Sequence, residues 1–281
     1  MPPALPRFAL LHIGFLRQFG ALSLLLVSCW LAGCSDSQEA RQVELPVVTD
    51  GEGLVPATTD LGYLVELSSA SLAADNLEFT IAGESHTSFW RKVSDALVAV
   101  AHAHPGHYQS GEVTGELPGH FILRFAPAEA QAVGTATLLV GSYRAVNLTL
   151  ALASATDVEE GDPLVDHSAV LTGSATKDNV TIDFQVIIDS PADRKLIGIP
   201  FEAEITESAK PSLALRLSTR DELENDTLFD GLDFLALDRD ADGTVVIEPS
   251  ASDPADVAAY NRIRRVFQTH DHFSAHPKRE K

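Results

Sequence analysis

Short runs in which apolar and polar residues alternate recur along the chain from about residue 61 onward. A period of two is typical of β-strands that bury one face, and the segment 180–186 (VTIDFQV) shows it clearly. Clusters of turn-forming residues lie between the runs. We predict strands at 63–67, 77–81, 120–125, 135–140, 146–152, 169–175, 180–188, 201–205 and 213–217.

Several of these predicted strands are joined by short links. Residues 118–119, 141–143 and 177–179 have the composition of hairpin turns, and residues 74–76 separate two of the runs. Strands spaced at roughly 8–15 residues are typical of an antiparallel β-sandwich. The pattern therefore predicts a mainly β protein of this architecture.

Two segments depart from the alternating pattern. Residues 87–101 carry aromatic and aliphatic residues at helical spacing, which predicts one inserted amphipathic helix. Near the C-terminus, 227–237 and 254–269 predict a short and a longer helix. Asp253 is suited to the N-cap of the longer helix and Pro254 to its first turn.

The composition changes along the chain and suggests four regions. Residues 1–33 have the character of an export signal, and 34–59 are polar with Gly and Pro, which predicts a flexible tether. Residues 60–220 hold the predicted sandwich. Residues 221–281 are predicted to form a helix, an acidic loop and a second helix packed on that sandwich.

The charge balance restricts the classes of partner. The 281 residues include 20 basic and 40 acidic side chains, for a net charge of -20. A chain this acidic is repelled by phosphate backbones and attracts cations, so nucleic-acid binding is excluded. Two cysteines provide neither a disulfide scaffold nor a Cys-rich zinc module.

The N-terminal region has basic residues, then an apolar run at 21–30, then Leu31-Ala32-Gly33-Cys34. This end resembles a bacterial lipobox. The resemblance implies cleavage before Cys34, lipidation of its thiol and membrane anchoring. A residue other than Asp at position 35 implies the outer membrane of a Gram-negative cell envelope. The alternatives are an ordinary signal peptide and an uncleaved anchor.

An acidic loop at 238–249 resembles the calcium loops of EF-hand and dockerin proteins. The resemblance implies oxygen ligands from Asp238, Asp240 and Asp242, with the Thr244 carbonyl as a further ligand and a glycine at the sixth position. The twelfth position holds a proline instead of an acidic residue, and the candidate replacements are Glu248 one place earlier, Ser250 and Asp253. The alternative is a solvated acidic turn.

Histidines cluster at two places and suggest a zinc or copper site, because imidazole suits these metals. In an extended segment, residues two apart point to the same side, so each His-x-His pair offers two ligands to one ion. The alternative is an exposed His-rich loop. The candidate ligands are His102, His104, His107, His120, His270 and His272.

These observations favour a lipid-anchored cell-envelope protein that captures or delivers metal, with zinc or copper on histidines and calcium on the acidic loop. Its expected partners are metal ions and, through the lipid, the membrane; another envelope protein is a further candidate. A structural or adhesive surface lipoprotein, stabilised by calcium alone, is the alternative. The chain lacks the common nucleophile and zinc-protease motifs, so an enzyme is not expected. A metal-dependent enzyme with an open coordination position is the third hypothesis.

Overall fold

A computed structural model describes residues 41–81, 111–127, 129–191, 194–208, 211–221 and 224–278. These residues are mainly β, as predicted. The strands are β1 (Gln42–Asp50), β2 (Ala57–Thr58), β3 (Leu64–Ile81), β4 (Val113–Phe125), β5 (Ala132–Leu139), β6 (Gly141–Leu150), β7 (Ala169–Lys177), β8 (Val180–Ile188), β9 (Lys195–Ile205), β10 (Ser212–Leu217), β11 (Thr244–Ile247) and β12 (Phe273–Lys278). The helices are α1 (Phe234–Leu237) and α2 (Pro254–Phe267).

All the described strands belong to one hydrogen-bonded sheet in the order β11-β8-β7-β3-β4-β5-β1-β10-β12-β9-β6, with β2 added to β3. Strand β6 also pairs with β3, so the path from β3 to β6 returns to its start and forms a closed ring. The pairs β1–β10, β8–β11 and β9–β12 are parallel. The sheet is therefore mixed, and the prediction of purely antiparallel pairing is wrong for these three pairs.

Strand β3 is the longest described strand and connects the parts of the sheet. It pairs with β7 through its first half, with β6 through its second half and with β4 along most of its length. Two separate strands were predicted here, divided at 74–76. Instead, Asn76 adopts a φ of 51° in a bulge, and its side chain accepts a hydrogen bond from the Gly119 N–H at 2.9 Å. Asn tolerates this conformation well, so the strand bends and continues.

Strand β1 corrects the predicted tether. Val43, Leu45 and Val47 alternate with exposed residues and are buried in the main core. The strand is a member of the closed ring, where it pairs antiparallel with β5 and parallel with β10. The flexible-tether prediction for 34–59 is therefore wrong from Gln42 onward, because this segment buries one face of a central strand.

The hairpin predicted at 177–179 is confirmed. Lys177 pairs with Val180, and Asp178 and Asn179 both have positive φ, as a two-residue type I′ turn requires. The link predicted at 141–143 is wrong, since β5 and β6 pair with other strands. Residues 118–119 lie within β4 instead of preceding a strand.

The C-terminal segment shares the core of the sheet. Phe229 and Phe234 contact Phe184 of β8, each with ring centroids 5.1 Å apart. Helix α2 begins where predicted, because the Asp253 side chain accepts a hydrogen bond from the Ala255 N–H at 2.8 Å. The described residues form one compact unit. Residues 221–281 thus supply two strands, β11 and β12, of the sheet itself. The segment is part of the β domain and does not merely pack on it, as was predicted.

A buried ion pair joins β1 to β10 and β12. The Asp50 side chain is almost fully buried, and Arg216 donates two hydrogen bonds to its Oδ2, at 2.6 Å from Nη2 and 3.1 Å from Nε. The Glu52 N–H donates to Oδ1 at 3.0 Å, and Nε2 of His276 lies 3.2 Å from Oδ2. One carboxylate therefore connects three strands of the ring.

Three predictions fall on residues outside the described ranges. They are the export signal at 1–33 with Cys34, the inserted helix at 87–101 and the histidines at 102–107. Among the described residues, no helix is both long and apolar enough to cross a membrane.

Candidate metal centres

The predicted calcium loop connects α1 to β11 and wraps around one carboxylate. Asp238 accepts hydrogen bonds from two loop N–H groups, that of Asp242 at 3.1 Å and that of Gly243 at 3.2 Å. The chain turns sharply here, with a φ of 56° at Ala241 and 82° at Gly243. The backbone of the loop is thus folded onto the first of its three aspartates.

Asp240 and Asp242 complete this group, which we call the loop cluster. Carboxylate oxygens of Asp238, Asp240 and Asp242 all lie within 4.8 Å of one another. Asp242 also accepts two hydrogen bonds from Thr244, at 2.8 Å from the N–H and 2.7 Å from the hydroxyl. Asp240 and Asp242 are exposed, so the cluster is accessible from solvent.

The other acidic residues of this segment do not join the loop cluster. Glu248 follows β11, and the extended strand, at about 3.3 Å per residue, carries it away from the loop. Its carboxylate accepts a hydrogen bond from the Ser250 hydroxyl. Asp253 and Asp256 accept hydrogen bonds from Arg239 at 2.9 and 2.6 Å. The structure therefore brings together three of the predicted calcium ligands and leaves Glu248 apart.

His120 lies between two carboxylates. Its Nδ1 is 2.6 Å from Asp75 and its Nε2 is 3.2 Å from Asp157. A metal ion could bind this imidazole only by displacing one of these partners. Both of its ring nitrogens therefore already have partners, one on β3 and one in the loop that follows β6.

His270 and His272 follow helix α2 in a turn instead of an extended segment, so they lack the same-side geometry that was expected. His270 lies 3.8 Å from Asp271. His272 is buried, with a relative exposure of 2%, and its Nδ1 is 3.1 Å from the Ser218 carbonyl oxygen. Within the described ranges, no histidine joins a group of three potential metal ligands.

A second acidic group, which sequence reasoning missed, lies in the turn between β10 and α1. Asp221, Glu224 and Asp226 have carboxylate oxygens within 4.8 Å of one another. Burial raises the pKa of Asp226, and the charges of Asp221 and Glu224 raise it further, while His272 lowers it. The run of acidic residues at 221–226 was the available signal, but a run of this kind occurs often in so acidic a chain.

Compared with known proteins, the chain matches no family model, no curated protein and no solved structure.

Proposed function

We propose that the protein is a calcium-binding lipoprotein of the bacterial cell envelope, anchored through Cys34 to the outer membrane of a Gram-negative cell. The observation that carries the calcium part is the loop cluster, where three carboxylates lie within 4.8 Å of one another. The lipobox resemblance supports the anchor. Metal capture or delivery is the role that this combination favours.

Calcium suits the loop cluster because it is a hard cation that binds six to eight oxygens in flexible geometry. Three carboxylates at this separation repel one another, and a divalent ion between them converts the repulsion into attraction. Asp238, Asp240 and Asp242 supply three oxygens, and the carbonyl of Thr244 and water supply the others. Without a bidentate ligand at the end of the loop, the affinity should be modest and suited to an extracytoplasmic compartment.

Calcium should raise the melting temperature of the full-length protein. A ligand that binds only the native state stabilises it by about 2.7 kcal/mol at 100 times the Kd, which is roughly 5–10 °C for a chain of this size. Asp240→Asn should remove most of this gain, and the exposed Glu159→Gln is a charge-matched control that should keep it. Differential scanning calorimetry with calcium or with a chelator measures the shift; an equal shift in Asp240→Asn would contradict the proposal.

The proposal extends to zinc or copper at the histidines of 102–107. His102→Ala with His104→Ala should weaken binding of these metals at least about tenfold, whereas His86→Ala should not. In the wild type, binding should weaken as the pH falls through about 6.5, since ligating imidazoles must be neutral. Equilibrium dialysis across this pH range provides the measurement. Unchanged binding in the double variant would favour the structural or adhesive alternative, in which calcium alone stabilises the fold.

The predicted two-layer sandwich belongs to the same proposal. Strand β3 pairs with β7 in its first half and with β6 in its second half, which supports a sheet that folds back over its own core. One cluster of buried side chains receives residues from both sides of the ring, such as Leu45 of β1 and Phe201 of β9. This architecture would hold the loop cluster at an edge of the sheet, beside β11.

A further inference from the structure

The second acidic group lies beside a buried imidazole with one unpartnered nitrogen. The Nδ1 of His272 lies 3.1 Å from the carbonyl oxygen of Ser218, which can only accept, so Nδ1 carries the proton and donates it. In the neutral ring, Nε2 then has a lone pair. This Nε2 is buried and has no hydrogen-bond partner among the described residues. A buried nitrogen of this kind costs free energy unless something binds it.

The neighbouring carboxylate is also incompletely satisfied. Oδ1 of Asp226 is buried and, like Nε2 of His272, has no partner in the described part of the chain. Each of these two groups is the strongest charged neighbour acting on the pKa of the other. Burial lowers the pKa of His272, which favours the neutral ring. Nε2 of His272 and Oδ1 of Asp226 are thus two buried acceptor atoms that no donor of the described residues satisfies, an arrangement that a cation would stabilise.

We propose that Asp221, Glu224 and Asp226, together with Nε2 of His272, bind one divalent transition-metal ion. Three carboxylates and one imidazole suit zinc or manganese. A metal-bound histidine commonly donates its other N–H to a backbone carbonyl, which is what His272 does with Ser218. This ligand set is separate from the loop cluster and differs from the all-histidine site predicted from the sequence.

The three carboxylates are close to the spacing that an ion requires. Ligand atoms at about 2.0–2.2 Å from a metal lie at most about 4.4 Å apart, close to the 4.8 Å limit of this group. The imidazole is not part of this 4.8 Å group, so binding would draw the carboxylates toward it. Glu224 is exposed and can move, while Asp221 and His272 are buried and positioned by the fold.

Zinc binding to the full chain tests this site. The measurement is made in a His102→Ala/His104→Ala background, so that the predicted histidine pair does not obscure the result. Competition with a chromophoric indicator should give one zinc ion, and Asp226→Asn and His272→Gln should each weaken its binding at least about tenfold. Glu159→Gln is the charge-matched control and should have no effect. Asp240→Asn should remove most of the calcium effect and leave zinc binding unchanged, which separates a failure here from a failure of the calcium proposal.

Two further measurements keep the test decisive. Glu224→Gln changes only an exposed side chain, so it reports on zinc affinity even if the buried variants do not fold. Cobalt substituted for zinc should show visible d–d absorption that changes in His272→Gln, because nitrogen coordination is lost. A background protein that binds no zinc, or Glu224→Gln and Asp226→Asn variants that bind it as tightly as the background, would overturn the proposal.

Discussion

Asp50→Ala should destabilise the protein by about 3–5 kcal/mol, the usual cost of removing one partner of a buried ion pair. The loss leaves the Arg216 guanidinium with the exposed Glu52 as its remaining carboxylate partner among the described residues. It also removes the acceptor for the Glu52 N–H. Chemical denaturation of wild type and variant measures the difference. Asp50→Asn is the isosteric comparison: it keeps the shape but removes the charge and one acceptor oxygen, so it should also be destabilised.

The same carboxylate gives a pH dependence with a defined sign. Burial alone raises the pKa of Asp50, but hydrogen bonds from Arg216 and the Glu52 N–H, with the charges of Arg216 and Lys278, bring it below its ordinary value. Its contribution to stability is therefore complete above the pKa of the unfolded chain, about 3.9, and is lost as the pH falls through the lower folded value. Asp50→Asn should lack this part of the acid sensitivity. If the stability of the two proteins fell by the same amount as the pH was lowered, the assignment to Asp50 would be refuted.

Cys34→Ala should release the protein from the membrane. If the lipobox is processed as the resemblance implies, the thiol at position 34 carries the lipid, and alanine leaves no attachment atom. Two or more acyl chains anchor a protein stably, so the change should move nearly all of it to the soluble fraction. Membrane fractionation measures this, with Cys29→Ala as the control that should stay membrane-bound. Mass spectrometry that finds a mature N-terminus other than a lipidated Cys34 would contradict the prediction.

The sequence correctly predicted those elements whose structure depends on residues close together in the chain. Strand β8 occupies 180–188 as predicted, because its alternation is regular and the turn at 178–179 has residues that accept positive φ. Strand β1 shows the same alternation, but its polar surroundings and Pro46 concealed it. The division of β3 was predicted wrongly because Asn76 serves equally well in a turn and in a bulge.

Features that depend on distant residues could not be read from the sequence. The parallel pair β1–β10 joins residues such as Val47 and Leu213, and no local pattern specifies that register. The loop cluster is contained in one short motif and was predicted, apart from Glu248, whose position depends on the strand before it. The proximity of His272 to Asp226 arises only when β12 and the turn after β10 meet in the folded sheet.

The ring of strands can close only after β12 has been synthesised and has paired with its neighbours. This strand is the last of the described strands, yet it lies between β10 and β9 inside the ring. Until it is in place, β10 and β9 each keep an edge with unpaired backbone N–H and C=O groups, which can pair with other extended chains. Contacts so distant in sequence form slowly. A chain in which β12 has not yet docked therefore exposes two strand edges that can pair with neighbouring copies, so the last described strand also protects the molecule from self-association.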